Sequence, residues 1–284
     1  MKKIKMQNTK KSLCVAAWNI RTLLDSASNN RPQRRTALVA AELQRCNFDI
    51  AARSETRLSD EGSRTGVGGG YTFFSKGRPP GSPRIHGVGF AVRSSLLPSL
   101  TESPVGISEH LISMSLPLSR GRFATVLSAY APTLDSSDEE KKTSFYAALR
   151  STLQHIPRTD KLLLLGDLNA RVGANHQVWQ TAIGRHGVGK SNNNGLRLFE
   201  VCSEFSLCIT NTMFQLQNKF KISWMHPHSK HWHLIDFVIV RRSDLRDVKI
   251  TRALRSADCW TDYRLIRSQL GMRVRPTLTH EAAL

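Results

Sequence analysis

The chain is poor in acidic residues and lacks paired cysteine motifs and long apolar runs. Its 284 residues include 22 Asp and Glu against 41 Lys and Arg, for a net charge of +19. The five cysteines are scattered with no CxxC spacing, which argues against a disulfide framework and against a cysteine zinc site. No run reaches the length of a membrane span, and no apolar stretch follows the basic N-terminus as in a secretory signal. These absences predict an intracellular protein in a reducing compartment, without a membrane helix.

The excess of positive charge predicts a polyanionic partner, because it creates a field that attracts negative charge. Nucleic acid is the partner such a surface most often indicates. An anionic membrane surface and a merely solvated basic surface are the alternatives. Lysines near the N-terminus are compatible with nuclear entry and also with an ordinary basic chain end. We expect a DNA-binding protein in the nucleus.

Composition along the chain predicts one main domain. The length would suit two domains at about 150 residues each, but large sandwiches also reach it as one unit. No linker rich in Pro, Ser and Gly marks a boundary. We therefore expect a basic flexible segment over residues 1–11, a single domain over 12–272 and a flexible tail over 273–284. A monomer is the expected state.

Apolar patterning predicts many strands and about three helices. The helices are expected over 34–46, from Ser137 to His155, and over 195–205, and Ser137 with Glu140 forms a capping box. The strands are expected over 13–20, 49–52, 71–74, 87–92, 111–116, 123–130, 162–165, 207–210, 222–225, 234–240, 248–253 and 264–270. A doubly wound parallel sheet needs a helix in nearly every crossover, and these helices are too few. The pattern therefore predicts an α/β fold in which two mixed sheets pack face to face, with helices outside.

The run Leu162–Asn169 (LLLLGDLN) is the most informative segment. Four consecutive leucines predict a strand that is buried on both faces. Gly166 ends it, and Asp167 and Asn169 follow at its tip. A carboxylate and an amide in that position are suited to holding a water molecule and a phosphate oxygen. The segment predicts the active-site strand of a metal-dependent phosphodiesterase.

Further polar residues stand where other predicted strands end. Any one of them alone is more typical of a cap or turn. Together they supply what phosphodiester cleavage requires, which is oxygen ligands for a hard cation, a group to orient water and donors for developing charge. The set comprises Asn19, Glu55, Tyr130, Asp167, Asn169, Asp236 and Asp262.

The order of these motifs resembles the endonuclease/exonuclease/phosphatase superfamily, whose fold is DNase I-like. In particular it resembles the apurinic-like endonucleases of non-LTR retrotransposons and the craniofacial development protein 2-like proteins. No reverse transcriptase follows, so we expect the nuclease module alone. The resemblance extends from about Leu13 to Leu270 and rests on Trp18-Asn19, Ser54–Arg57, Ala129–Pro132, Gly166–Asn169, Ser223-Trp224, Leu234–Phe237 and Thr261–Tyr263.

The resemblance implies a four-layer α/β sandwich with a Mg²⁺-dependent DNA endonuclease site between the sheets, where Mn²⁺ would also serve. It implies that Glu55 holds the metal with Asp262 close by, and that Asp167 orients the attacking water. Asp236 would orient the histidine that normally follows the final aspartate. The phosphate would be bound by Asn19, Tyr130 and Asn169.

Position 263 departs from this pattern because it is Tyr rather than His. A phenol, with an ordinary pKa of about 10, is a poor proton acceptor at neutral pH. Loss of a general acid or base typically costs about a hundred- to ten-thousandfold in rate. Tyr263 therefore predicts a weak or silent nuclease. The alternatives are a nucleic-acid-binding protein that retains the fold without catalysis, and a lipid or inositol phosphatase of the same superfamily.

Two arginines also bear on the expected site. Residues two apart on a strand share a face, so Arg53 is expected beside Glu55. There it would either pair with Glu55 and compete with Mg²⁺, or extend into solvent. Arg21 occupies a position where cellular members of the superfamily often carry an acidic residue, which is compatible with DNA contact and with a plain surface role.

Two other motifs carry less weight. Gly184–Ser191 fits the phosphate-loop pattern G-x-x-x-x-G-K-S, but that loop must join a buried strand to a helix. A weak strand precedes it and an asparagine run that should interrupt a helix follows, so we expect Lys190 near the nuclease groove instead. A histidine cluster could hold zinc, form a basic loop near DNA, or simply connect strands, which is the first expectation. It comprises His226, His228, His231 and His233.

Overall fold

The computed structural model describes residues 12–25, 35–65, 69–133, 139–257, 259 and 261–275. The predicted basic segment 1–11 and the capping residue Ser137 lie outside these ranges. Three α-helices are described, namely α1 (Arg35–Arg45), α2 (Glu139–His155) and α3 (Asn193–Glu204). Short 3₁₀ helices lie at Ser94–Ser99, Ser119–Gly121, Thr210–Thr212, Asn218–Phe220 and Arg242–Asp247.

The larger sheet has seven strands. In chain order they are β1 (Leu13–Asn19), β2 (Ile50–Ser54), β3 (Glu61–Thr65), β4 (Tyr71–Lys76), β5 (Val88–Arg93), β16 (Val248–Leu254) and β17 (Leu265–Leu270). Their spatial order is β16-β17-β1-β2-β5-β4-β3. Only β1 and β2 run parallel, and the other neighbours are antiparallel.

The second sheet has six strands. They are β6 (Val105–Ser108), β7 (Leu111–Pro117), β8 (Phe123–Tyr130), β9 (Lys161–Asp167), β12 (Leu207–Ile209) and β15 (Asp236–Arg241). Their order is β12-β15-β9-β8-β7-β6, with β8 and β9 parallel. Two small hairpins complete the fold, β10 (Val172–Gly173) with β11 (Val188–Ser191), and β13 (Trp224–Met225) with β14 (Trp232–His233).

Three apolar clusters hold the layers together. The central cluster joins alternate residues of both sheets, such as Val15 and Ala52 from one and Leu163 and Leu165 from the other. The opposite faces are covered by helices, with α1 on the seven-stranded sheet and α2 and α3 on the six-stranded sheet. This arrangement confirms the predicted four-layer α/β sandwich of two mixed sheets. Among the described residues, no helix is both long and apolar enough to span a lipid bilayer.

The predicted elements match the observed ones best where apolar residues are continuous. The predicted strand over 123–130 coincides with β8, and the predicted helices over 34–46 and 195–205 differ from α1 and α3 by one or two residues at each end. The strand predicted over 222–225 is limited to Trp224–Met225. At the end of the main domain, Val274 bridges Leu118, and residues 276–284 lie outside the described ranges.

Candidate active site

The two parallel strand pairs bring the predicted polar residues to one edge of the sandwich. Asn19 ends β1 beside Ser54 at the end of β2. Tyr130 ends β8 beside Asp167 at the end of β9. Because parallel strands end at the same edge, all four residues face the same end of the molecule. The Ser54 hydroxyl connects the sheets, since it donates to the Ala129 carbonyl and accepts from the Asp167 amide.

The side-chain amide of Asn19 joins carboxylates from the two sheets. Its Nδ2 donates to Oε1 of Glu55 at 2.7 Å and to Oδ2 of Asp167 at 2.9 Å. Its Oδ1 accepts from the backbone N–H of Arg21 at 2.9 Å, which fixes the orientation of the amide. Glu55 and Asp167, 112 positions apart in sequence, therefore lie within one hydrogen bond of the same nitrogen.

Glu55 lies beyond the end of β2 in a left-handed backbone conformation, with φ of 55°. Such a φ is uncommon for a residue other than glycine. It turns the carboxylate toward Asn19, and Arg57 Nη2 contacts the other carboxylate oxygen at 3.3 Å. The basic partner of Glu55 is therefore Arg57 rather than the expected Arg53.

Arg53 is fully buried and does not contact Glu55. Its Nη2 donates to the carbonyls of Phe74 (3.0 Å) and Phe90 (2.9 Å), and its guanidinium lies 4.6 Å from the centre of the Phe73 ring. Both expected arrangements, pairing with Glu55 and extension into solvent, are wrong. The alternation rule fails here because it applies only within an extended strand, and the left-handed turn at Glu55 ends that alternation.

Asp167 is fully buried at the centre of the site. Its carboxylate accepts from Asn19 and, through Oδ1, from the backbone N–H of Asn169 at 2.9 Å. Burial raises the pKa of Asp167 to about 7, although these hydrogen bonds and one from the Tyr263 hydroxyl oppose the rise. Such a carboxyl is closer than an ordinary aspartate to the proton affinity that suits a general base at neutral pH.

Asp236 faces Asp167 directly across the antiparallel pair of β15 and β9, and it is also fully buried. Within the described ranges, neither of its carboxylate oxygens has a well-aligned hydrogen bond, although the Ser223 hydroxyl and the Asn19 backbone lie close enough to favour its charged form slightly. Burial first, and then the neighbouring Asp167 charge, raise the pKa of Asp236 well above its ordinary value. The group that Asp236 was expected to orient is absent, since Tyr263 donates to Asp167 instead.

Two tyrosines border these carboxyl groups. Burial raises the pKa of both Tyr130 and Tyr263 above the ordinary value, and the negative charges of Glu55 and Asp167 raise it further. Both phenols are therefore hydrogen-bond donors at neutral pH, Tyr130 toward Glu55 and Tyr263 toward Asp167. A phenol so firmly protonated cannot take a proton from water as an imidazole would.

Asp262 lies at the outer side of this cluster. Its Oδ2 accepts from the indole Nε1 of Trp224 at 3.2 Å, and its Oδ1 lies 3.5 Å from Nε of Arg21. Thr261 ties the same loop to β1 through a hydrogen bond to the carbonyl of Asn19. Position 21 therefore bears on the site through an ion pair with Asp262.

Asn169 lies in the turn after β9, with φ of 46°. Its side-chain Nδ2 donates to the carbonyl of Ala131 at 2.7 Å, so this nitrogen is already engaged in holding the loop. Asn194, which the sequence did not single out, is buried and donates to the carbonyls of Pro132 and Asn169. Asn169 and Asn194 thus hold the loops beside the site in place. Nothing in the sequence indicates these contacts except that both residues are polar.

The residues present fit a Mg²⁺ ion that would be held by few protein ligands. Oδ1 of Asp262 is buried without a hydrogen bond in the described part of the chain. Mg²⁺ usually keeps several waters and takes one or two carboxylates, and Glu55 and Asp262 are suitable donors. Across the residues that the structure describes, no three His, Cys, Asp or Glu side chains form a closed metal site. The histidine cluster at 226–233 therefore does not form a zinc site among the described residues.

The phosphate-loop pattern does not form a phosphate loop. Val188–Ser191 is the strand β11, paired with β10, rather than the start of a helix, and within it Gly189 has a φ of 73°. The helix α3 begins directly afterward at Asn193, and the side chain of Asn192 caps it by accepting from Gly195 N at 2.8 Å. The expectation that the asparagine run interrupts a helix was wrong, because asparagine is a favoured N-cap.

Comparison with known proteins agrees with this fold. The sequence matches the Endonuclease/Exonuclease/phosphatase family over residues 16–258. Craniofacial development protein 2 of Bos taurus is 27% identical over 271 residues, which are 95% of this chain and 43% of that protein. The chain therefore spans less than half the length of this relative.

Two solved structures show the same fold at low sequence identity. The catalytic domain of Xenopus laevis APE2 aligns with a TM-score of 0.67 at 14% identity, over 94% of each chain. The endonuclease domain of TRAS1, a telomere-specific non-LTR retrotransposon, aligns with a TM-score of 0.59 at 15% identity, over 91% of this chain and 98% of that one. With its two-sheet sandwich and its match over residues 16–258, the chain belongs to the endonuclease/exonuclease/phosphatase family.

Proposed function

We propose that the protein is a Mg²⁺-dependent DNA endonuclease of the apurinic-like type, slowed by tyrosine at position 263. The observation that supports this most is the Asn19 amide, which joins Glu55 and Asp167 from opposite sheets. A purely structural role would not require two carboxylates and two tyrosines at one buried edge. The net charge of +19 suits a DNA substrate, because a basic surface attracts the phosphate backbone.

Each residue has a role that its contacts allow. Mg²⁺, or Mn²⁺ in its place, would be held by Glu55 and Asp262 and would stabilise charge on the phosphate oxygens. Asp167, with its raised pKa, accepts a hydrogen bond from the attacking water and takes its proton. The hydroxyl of Tyr130 remains protonated. When substrate is bound, it donates its hydrogen bond to a phosphate oxygen instead of to Glu55.

Tyr263 limits the rate because its phenol only donates a hydrogen bond. A histidine at the same position could accept a proton and, once protonated, stabilise negative charge on the phosphate. Its donation to Asp167 stabilises the carboxylate form and weakens Asp167 as a base. Asp236 has no imidazole to orient, and its oxygens have no well-aligned hydrogen bond among the described residues. The expected cost is about a hundred- to ten-thousandfold relative to a site with a working acid–base group.

A nucleic-acid-binding protein without catalysis is the second candidate. The observation in its favour is that guanidinium groups contact both candidate metal ligands, Arg57 at Glu55 (3.3 Å) and Arg21 at Asp262 (3.5 Å). Each pair competes with a divalent cation for the same oxygens. Both arginine side chains are about half exposed, so the pairs are weak and a metal can displace them.

Nicking of supercoiled plasmid tests the proposal directly. The wild type should convert supercoiled to open-circular DNA in Mg²⁺ and not in EDTA. Glu55→Ala should lose at least about a hundredfold in rate, since it removes the metal ligand. Glu61→Ala, which removes an exposed carboxylate on β3, is the matched control and should nick like the wild type.

Two results would contradict the endonuclease. Equal nicking by wild type and Glu55→Ala would indicate a contaminating nuclease. Absence of nicking together with steeply salt-dependent DNA binding would favour the binding protein, because only contacts with backbone phosphates give such a slope. Absence of both would return the lipid or inositol phosphatase to consideration.

A further inference from the structure

A basic cleft lies at the end of the sandwich opposite to the candidate active site. Strand β9 begins at this cleft with Lys161 and ends at the site with Asp167, and seven residues of strand span about 20 Å. The cleft has a volume of about 260 Å³. It is lined by Leu118, Ser119, Arg120, Arg122, Lys161, Asp247, Gly271, Met272 and Arg273.

Lys161 neutralises part of the acidic charge at this cleft. The ammonium group of Lys161 lies 2.6 Å from Oδ1 of Asp244 and 2.6 Å from Oδ2 of Asp247. Both bonds are largely buried, so the Asp247 carboxylate is turned toward Lys161. A phosphate entering the cleft would therefore meet an acidic group that a buried cation already partly neutralises.

The rim, in contrast, carries basic groups that remain available. Arg120, Arg122 and Arg273 are exposed, and in the described part of the chain none of the three forms an ion pair. Like charges held around one cleft repel each other, so an anion that enters relieves this repulsion. Arginine suits a phosphate group particularly well, because its planar guanidinium donates two parallel hydrogen bonds.

The backbone keeps these arginines around the cleft. Arg120 lies in the turn between β7 and β8, where Leu118 N donates to the carbonyl of Arg122 at 2.7 Å. Arg273 comes from the far end of the chain and is held there by the bond from Ser119 N to its carbonyl at 2.9 Å. The three guanidinium groups thus belong to two segments that are fixed to each other.

We propose that this cleft is a second phosphate-binding site, which holds backbone phosphates of a single-stranded nucleic-acid segment outside the active site. Three partner-free arginines beside a hydroxyl, Ser119, form a suitable set of donors for phosphate oxygens. A single strand is favoured because it is flexible enough to reach around the sandwich from the opposite end. This inference rests on the proposed function in one respect, namely that nucleic acid is the source of the phosphates.

Binding measured by fluorescence anisotropy tests this inference. The probes are a short duplex and the same duplex with a single-stranded tail of about 20 nucleotides, longer than typical single-strand sites. All measurements are made in EDTA, so they do not depend on catalysis. Arg122→Glu should weaken binding of the tailed probe about tenfold and reduce its salt slope by about 1, with no change for the untailed duplex.

Arg64→Glu is the matched control, because it makes the same charge change on an exposed arginine of β3 outside the cleft. It should alter neither probe by more than about twofold, as expected for a non-specific effect of charge. Arg273→Glu should reproduce Arg122→Glu, which guards against a local folding defect in one segment. Equal melting temperatures of all variants establish that the fold is intact.

Two results would overturn the inference. One is equal weakening of the tailed probe by Arg122→Glu and Arg64→Glu. The other is binding of inositol hexakisphosphate that depends on Arg122 while binding of the tailed probe does not, which would assign the cleft to a small phosphorylated ligand. Failure of plasmid nicking would bear on the proposed function alone and would leave this test unaffected.

Discussion

Asp236 faces Asp167 directly across strands β15 and β9, and both side chains are fully buried. Asp167 accepts hydrogen bonds from Asn19 and Asn169, whereas the oxygens of Asp236 have no well-aligned hydrogen bond among the described residues. Two adjacent buried carboxyl groups disfavour double ionisation. The fold is therefore destabilised at any pH where both groups ionise, at the point where the chemistry is proposed.

Replacing Asp236 should relieve this cost. A carboxyl with a raised pKa contributes stability that is fully present below its ordinary pKa and is lost as pH rises through the raised value. Asp236→Asn is uncharged at every pH, so its free energy of unfolding should exceed the wild-type value by about 1 kcal/mol or more at pH 8 and by less at pH 5. Urea unfolding in EDTA at both pH values measures the difference.

Asp244→Asn provides the contrasting control for this prediction. Asp244 is also buried, but it binds Lys161 at 2.6 Å, so its replacement should lower the free energy of unfolding. If Asp236→Asn lowered the free energy of unfolding by the same amount at both pH values, the Asp236 carboxylate would be stabilised by a hydrogen-bond donor, and the prediction would be wrong.

Arg53 should be replaceable by an apolar residue of similar size. Burial lowers the pKa of Arg53 to about 9, and two of its three guanidinium nitrogens, Nε and Nη1, have no hydrogen-bond partner in the described residues. Arg53→Met should leave the free energy of unfolding unchanged or raise it by up to about 4 kcal/mol. It should also leave nicking unchanged, because Arg53 does not contact Glu55. Chemical denaturation and the plasmid assay measure both.

Two other substitutions, Arg53→Ala and Gly89→Ala, test how tightly the surrounding residues pack against the Arg53 guanidinium. The first leaves a cavity and should cost about 2–5 kcal/mol. The second would place a Cβ 2.2 Å from the Phe74 carbonyl oxygen and 2.8 Å from Nη2 of Arg53, so the backbone must shift. Loss of stability in Arg53→Met equal to that in Arg53→Ala would show that the charge itself is needed.

The pair His86 and His110 should make the protein sensitive to acid. Burial, and then the neighbouring His110, lower the pKa of His86 to about 4, while Glu109 opposes the shift and Arg78 adds to it. A histidine with a lowered pKa contributes stability that is present above its ordinary value near 6.5 and is lost as pH falls toward 4. His86→Gln should flatten the fall of the free energy of unfolding between pH 6.5 and 4.

The control for this pH dependence is His228→Gln, on the exposed turn between β13 and β14. It should reproduce the wild-type pH profile, measured by urea unfolding at half-unit intervals. Identical profiles for wild type and His86→Gln would mean that other groups account for acid unfolding.

The sequence predicted the fold because its central strands are continuous apolar runs with polar residues at their tips. The edge strand β3 escaped prediction because its residues, Glu61–Thr65, are polar and fully on the surface, so they show no apolar alternation. The four-residue β6 was missed because it is short and has only two apolar side chains, Val105 and Ile107, separated by a glycine.

The sequence named candidate site residues, but it did not predict the contacts among them. The tips of β1 and β9 could be placed at one edge from strand direction alone. The left-handed backbone at Glu55 could not be predicted, because glutamate rarely adopts a positive φ; asparagine does so more often, but the residue type alone does not fix the turn at Asn169. As a result, neither alternative expected for Arg53 included Arg57 as the partner of Glu55, and the engagement of the Asn169 amide by the Ala131 carbonyl was not foreseen.

The comparison of wild type with Tyr263→His in plasmid nicking tests the central claim most directly. An imidazole at position 263 should accept a proton and be oriented by Asp236, whose oxygens otherwise have no well-aligned hydrogen bond among the described residues. Tyr263→His should therefore nick at least about tenfold faster than the wild type in Mg²⁺, and neither should nick in EDTA. Equal rates for the two proteins in Mg²⁺, or nicking that persists in EDTA, would contradict the account.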